Sequence, residues 1–142
     1  MSKTTDLLSL NVNDDTKKKG KLTYLSWAWA WARFLEAYPD ATYEIISNSD
    51  NTSIFGDDKL GYMVYTTVTA NGITRKMWLP VLDGANKVMK DNSYKYTTKY
   101  GDKTVEAISM FDVNKAVMRC LVKNLAMFGL GLYIYAGEDL PE

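Results

Sequence analysis

Two segments of alternating character, GYMVYTTVTA and ITRKMWLPV, flank Asn71-Gly72. Asparagine and glycine tolerate the positive φ that both central positions of a type I′ turn require, and that turn matches the twist of two paired strands. The pair therefore predicts a tight hairpin and sets its register. Ala70 faces Ile73, Val68 faces Arg75, Thr66 faces Met77 and Val64 faces Leu79, giving one largely apolar side. The other side sets Thr69 against Thr74, Thr67 against Lys76 and Tyr65 against Trp78. Arg75 is the exception on the apolar side: either it reaches a groove or the turn is displaced by one residue.

A sheet with one apolar face needs a covering layer, and two segments can supply it. After Ser26, a good N-cap residue, WAWAWARFLEAY predicts a helix of about three turns that stops before Pro39. At about 100° per residue, Trp27, Trp31, Phe34, Leu35 and Tyr38 share one face, while Trp29 lies opposite with Arg33 and Glu36. DVNKAVMRCLVKNLAMF predicts a longer helix from an Asp112 cap to Phe128, closed by Gly129, with GLYIYAG resuming as a short strand. Between the helices lie a strand over 42–47, a polar loop over 48–61, a polar connection over 83–92 and a second hairpin turning near Gly101-Asp102. On its first arm Lys95, Thr97 and Lys99 share one side, and Tyr94, Tyr96, Thr98 and Tyr100 the other.

This order predicts an α+β fold: an antiparallel sheet packed against a long helix, with an N-terminal helix and an extra β-hairpin. Residues 1–20 are polar, end in Lys17-Lys18-Lys19 and show no periodicity, so they read as a flexible arm; residues 21–142 form a single domain. With 46% apolar residues in a chain of 142, one hydrophobic core is affordable.

Composition excludes much catalytic chemistry. The chain has no histidine and one cysteine, Cys120, which rules out an internal disulfide and a multi-cysteine zinc site and removes the commonest general base. Cys120 has apolar helical neighbours and reads as a packed core thiol. The sole approach to a nuclease-like carboxylate cluster with a lysine is Asp57-Asp58-Lys59 with Asp50, in a loop-like stretch. There is no G-x-x-x-x-G-K-[ST] phosphate loop, and the G-x-G at Gly129 to Gly131 reads as a helix stop. No enzyme, cofactor or metal site is expected. No apolar run reaches the roughly 20 residues needed to span a bilayer, and no signal pattern opens the chain, so a cytoplasmic location is expected.

Formal charge balances at 17 basic and 17 acidic residues, but unevenly along the chain. Residues 22–71 carry a net −4 and residues 72–104 a net +4. Such polarisation can draw a polyanion to one side of a neutral molecule. In the long helix, Lys115, Arg119 and Lys123 recur every fourth residue and so occupy an arc of about 80°. Most of the remaining circumference is apolar. On the residues alone the stripe fits the solvated face of an amphipathic helix first, and the edge of a phosphate-binding groove as the alternative.

The stretch from Asp112 to Leu140, DVNKAVMRCLVKNLAMFGLGLYIYAGEDL, resembles the most recognisable part of the Rad-fifty-two-like annealing proteins: a basic helix, a Phe-Gly turn, an aromatic strand and an acidic end. LSWAWAWARFLEAYPDATYE and MWLPVLD are similar to the Sak-type phage branch of that superfamily. The resemblance implies a β-β-β-α core that assembles into a ring or helical filament. It also implies single-stranded DNA held by its phosphates, and ATP-independent annealing of complementary strands during phage recombination. It places phosphate contacts at Lys115, Arg119 and Lys123, then at Arg75 and Lys76, with Lys95 and Lys99 of the second hairpin as an upper lip. Tyr65 and Trp78 are candidates for base stacking, or for simple cross-strand packing. Trp29, an aromatic on a polar face, is a candidate subunit contact. The expected partners are single-stranded DNA, the annealed duplex intermediate, further copies of the chain and a host or phage single-strand-binding protein, in the cytoplasm of an infected bacterium. The alternatives are a non-annealing single-stranded DNA or RNA binder and a phage protein-interaction module.

Overall fold

The computed structural model describes residues 16–19 and 22–132. In chain order the elements are β1 (Thr16–Lys19), β2 (Leu22–Leu25), α1 (Trp27–Ala37), β3 (Thr42–Ile45), β4 (Phe55–Asp57), β5 (Gly61–Ala70), β6 (Ile73–Pro80), β7 (Tyr94–Thr98), β8 (Gly101–Val105) and α2 (Met110–Ala126). The fold is α+β, as expected. β5 is the organising strand, pairing with β3, β4 and β6, while β1–β2 and β7–β8 form separate two-stranded sheets. Residues 16–19, assigned by their polarity to the arm, pair antiparallel with 22–25.

The backbone at 71–72 behaves as its residues demand. Asn71 takes φ 53° and Gly72 φ 77°, the two positive values of a type I′ turn. The Thr69 and Thr74 hydroxyls meet at 2.8 Å, which confirms the register read from the turn. Along β5 every second residue is buried from Val64 through Thr66 and Val68 to Ala70, whereas on β6 Met77 is the one buried residue.

The chain divides into two compact units. Among the described residues one gathers 16–19, 22–44, 67–77 and 121–132, the other 45–66 and 78–120, so β5, β6 and α2 each contribute to both. In the first, Ala30 and Phe34 of α1 and its C-cap residue Tyr38 pack with Val68, Ala70, Leu121, Val122, Leu125, Phe128 and Leu130. Phe34 is its centre, with ring centroids 5.1 Å from Tyr38, 5.2 Å from Phe128 and 5.9 Å from Trp31. Truncating such a fully buried ring to alanine costs about 3–5 kcal/mol. Trp27, expected on the same face, is 44% exposed, because burial on α1 begins a turn later at Ala30.

In the second unit Val64, Val81, Met89, Val105, Val113, Ala116 and Val117 are buried, as are Thr66 and Cys120, whose Oγ1 and Sγ meet at 3.4 Å. β4 was not expected: it lies in the polar 48–61 stretch, yet Phe55, Gly56 and Asp57 pair with Met63, Tyr62 and Gly61, and the Phe55 ring packs edge-on with Tyr65.

Both ends of α2 are capped, one differently from expectation. Ser109 is the N-cap in place of Asp112. The Asp112 carboxylate accepts the backbone N–H of Ser109 at 3.0 Å and its hydroxyl at 2.8 Å, and the Asp112 N–H reaches the Ser109 hydroxyl at 3.4 Å. This is a capping box with aspartate in the third position. At the other end Gly129 N–H donates to the Ala126 carbonyl and Leu130 N–H to the Leu125 carbonyl, with φ 112° at Gly129. That pair of bonds is a Schellman closure, which is why the stop signal at Gly129 was legible. Residues 127–131 form the turn, and the strand expected beyond it falls largely outside the described residues.

Candidate nucleic-acid interface

α2 leaves little of its surface unpacked. Val113, Ala116, Val117, Cys120, Leu121, Val122, Asn124, Leu125 and Ala126 are all buried, and Lys115, Arg119 and Lys123 lie on the arc that remains. Lys115 is exposed with its ammonium 5.9 Å from the Phe111 ring centroid; Arg119 and Lys123 are half-buried. Lys123 also stands in the last turn, where the helix dipole favours a cation.

In the first unit Arg75 is brought to the end of this helix by two contacts. The buried Asn124 side chain donates to the Arg75 carbonyl at 3.2 Å, and the Arg75 guanidinium lies 5.2 Å from the Phe128 ring centroid. This resolves the register conflict. Arg75 does sit on the apolar side of the hairpin, but it covers an aromatic face with its planar cation and stays exposed. Lys76, on the opposite side of β6, is exposed too. The sequence marks Phe128 only as the end of the helix and Asn124 only as a polar residue amid its apolar face.

On the β7–β8 hairpin the expected alternation holds, with Tyr94, Tyr96 and Thr98 half-buried and Lys95 and Thr97 exposed. Lys95 pairs with Thr104 across the ladder, and Lys99 follows in the turn. The turn falls at Lys99-Tyr100, earlier than expected, since Thr98 already pairs with Gly101. Cations and tyrosines are interleaved: Lys87 lies 4.8 Å from the Tyr96 ring centroid, Lys90 5.0 Å from Tyr94 and Lys99 5.1 Å from Tyr100.

The two stacking candidates differ. Tyr65 is half-buried against Phe55, whereas Trp78 is 52% exposed. Trp29 is 51% exposed, with the Arg33 guanidinium 5.6 Å from its ring centroid and Arg33 held to Glu36 at 3.1 Å.

The carboxylates near β4 serve turns. Asp57 accepts the Lys59 N–H at 2.9 Å, and Asp58 accepts the Tyr62 hydroxyl at 2.8 Å and the Asp91 N–H at 3.0 Å. The Asp91 N–H, then the Tyr62 hydroxyl, hold the Asp58 carboxyl below its ordinary range, while the hydrogen bond to Asp58 pushes the Tyr62 phenol up to about 12. Among the described residues no three acidic or thiol groups cluster as metal ligands would, and no helix is long and apolar enough to cross a membrane.

Set beside known protein families, the sequence matches the one described as Sak Single Strand Annealing Protein over residues 3–142. No curated protein and no solved structure matches it significantly.

Proposed function

The chain belongs to the family of Sak single strand annealing proteins, and from that premise we propose that it holds single-stranded DNA by its phosphates and anneals complementary strands without nucleotide hydrolysis during phage recombination. The observation that carries this reading is the cationic arc of α2. A helix packed over most of its circumference keeps Lys115, Arg119 and Lys123 in line, and Arg75 is tethered to the end of that helix through Asn124 and Phe128. Fixed cations along a strand track its charge and displace its counterions. Contacts confined to phosphates leave the base edges free, as annealing requires.

Lys76 on β6 and, separately, Lys95 and Lys99 on the β7–β8 hairpin are further exposed cations available to phosphates, and Trp78 is the more exposed of the two stacking aromatics. Trp29 is the contact between copies of the chain in a ring or filament. Exposed tryptophans concentrate binding energy at interfaces, so Trp29→Glu is expected to dissociate the oligomer in sedimentation. The partners are single-stranded DNA, the annealed intermediate and a single-strand-binding protein of host or phage, in the cytoplasm of the infected cell. No bond-making chemistry, cofactor or metal enters this reading. Mixing labelled complementary strands with the protein in the absence of nucleotide tests it: accelerated pairing is expected, whereas retarded pairing would identify a strand protector.

A further inference from the structure

Tyr100 is the most exposed aromatic residue of the described chain, at 80%, and it stands at the tip of β7–β8. The tip is built to hold it. The Thr98 hydroxyl accepts the Tyr100 N–H at 3.1 Å and donates to the Gly101 carbonyl at 2.9 Å, while Thr97 is tied across the ladder to the Asp102 carboxylate at 3.0 Å. In this tied turn the Lys99 ammonium lies 5.1 Å from the Tyr100 ring centroid. Lys95 and Lys103 are exposed farther down the same hairpin.

Building on the single-strand binding proposed above, we infer that Tyr100 is a base-stacking residue, with Lys99 and its neighbouring lysines holding the adjacent phosphates. Three physical points carry this. An aromatic ring left in water on a fixed mount has apolar area to cover and little ordering entropy to lose when a base covers it. The Lys99 ammonium needs only one face of the ring, so a base on the opposite face makes a base, ring and cation stack. Stacking engages the face of a base and leaves its pairing edge exposed, so one such contact per subunit is compatible with annealing. Tyr65, by contrast, is committed to Phe55.

The test uses the full chain and thymidine oligonucleotides, with and without bases at the central positions, in Tyr100→Leu, Tyr100→Phe and Lys99→Gln variants. Tyr100 packs against no core residue, so these variants are expected to fold, which circular dichroism checks. The expected result for Tyr100→Leu is a loss of affinity of about fivefold or more on the base-bearing strand. Tyr100→Phe retains binding, and on the abasic strand Tyr100→Leu matches wild type. The slope of log K against log salt stays constant for Tyr100→Leu and falls by about 0.7 for Lys99→Gln. Equal affinity of Tyr100→Leu and wild type on the base-bearing strand would overturn the inference, as would an equal loss on the abasic strand. A wild-type protein that binds neither strand at low salt would overturn the annealing reading itself, and this inference with it.

Discussion

In the β5–β6 hairpin the turn is made by the backbone: Asn71 and Gly72 both take positive φ. In β7–β8 the turn residues are Lys99 and Tyr100, only Gly101 turns to positive φ, at 110°, and a threonine side chain closes the loop. The first hairpin drives the alternate residues Val64 to Ala70 into the core. The second buries Val105 and displays lysines. A turn specified by backbone conformation fixes register strongly enough for a strand to carry packing. A turn held by a side chain tolerates large functional residues at its tip, because the positive φ falls on Gly101 beside Lys99 and Tyr100 and on neither of them.

This contrast predicts unequal responses. Val68→Ala on β5 removes two fully buried methyl groups and is expected to cost roughly 2 kcal/mol in urea unfolding. Lys95→Gln on β7 should stay within about 0.5 kcal/mol and register instead as weaker oligonucleotide binding. Gly72→Val is next: a Cβ at this position meets no neighbour within 4 Å, so the expected cost is that of a β-branched residue held at φ 77°, roughly 1–2 kcal/mol. Thr98→Val keeps the side-chain shape but loses both bonds of the second turn, about 1 kcal/mol or less, since water replaces them. If the Thr98 change unfolded the chain while the Gly72 change did not, the division of labour between the hairpins would be reversed.

The smallest effect is electrostatic and lies where β4 meets β5. Wild-type Tyr62 should ionise near about 12, and Asp58→Asn should return it toward 10.0 in an ultraviolet pH titration. The sign for Asp58 follows from its lowered value. Its contribution is present above 3.8 and is lost as pH falls through the folded value below that. Asp58 is exposed and Tyr62 only half-buried, so any stability change is small.

How far the sequence could be read follows the same physics. Where one residue pair dictates backbone geometry, as at Asn71-Gly72 or the Gly129 stop, element and register were legible. Where the signal is a side chain satisfying backbone groups, it was displaced: Ser109 caps α2 in place of Asp112, and the Thr98 closure moves the second turn to Lys99-Tyr100. β4 was hidden because Phe55 is the only apolar residue of a three-residue strand. Trp27 and Trp31 share one arc of α1, and only the packing around Ala30 and Phe34 shows which is covered. The cationic arc of α2 was visible from spacing. Its link to Arg75 was not, since it depends on Asn124 and Phe128, residues from a distant part of the chain.

The most direct test replaces Lys115, Arg119 and Lys123 together by glutamine and measures single-stranded DNA affinity across a salt series alongside nucleotide-free annealing. With three phosphate contacts removed, the salt slope should fall by about 2 and annealing should fail while the fold persists. An unchanged slope with undiminished annealing would place the DNA elsewhere on the molecule and contradict the account.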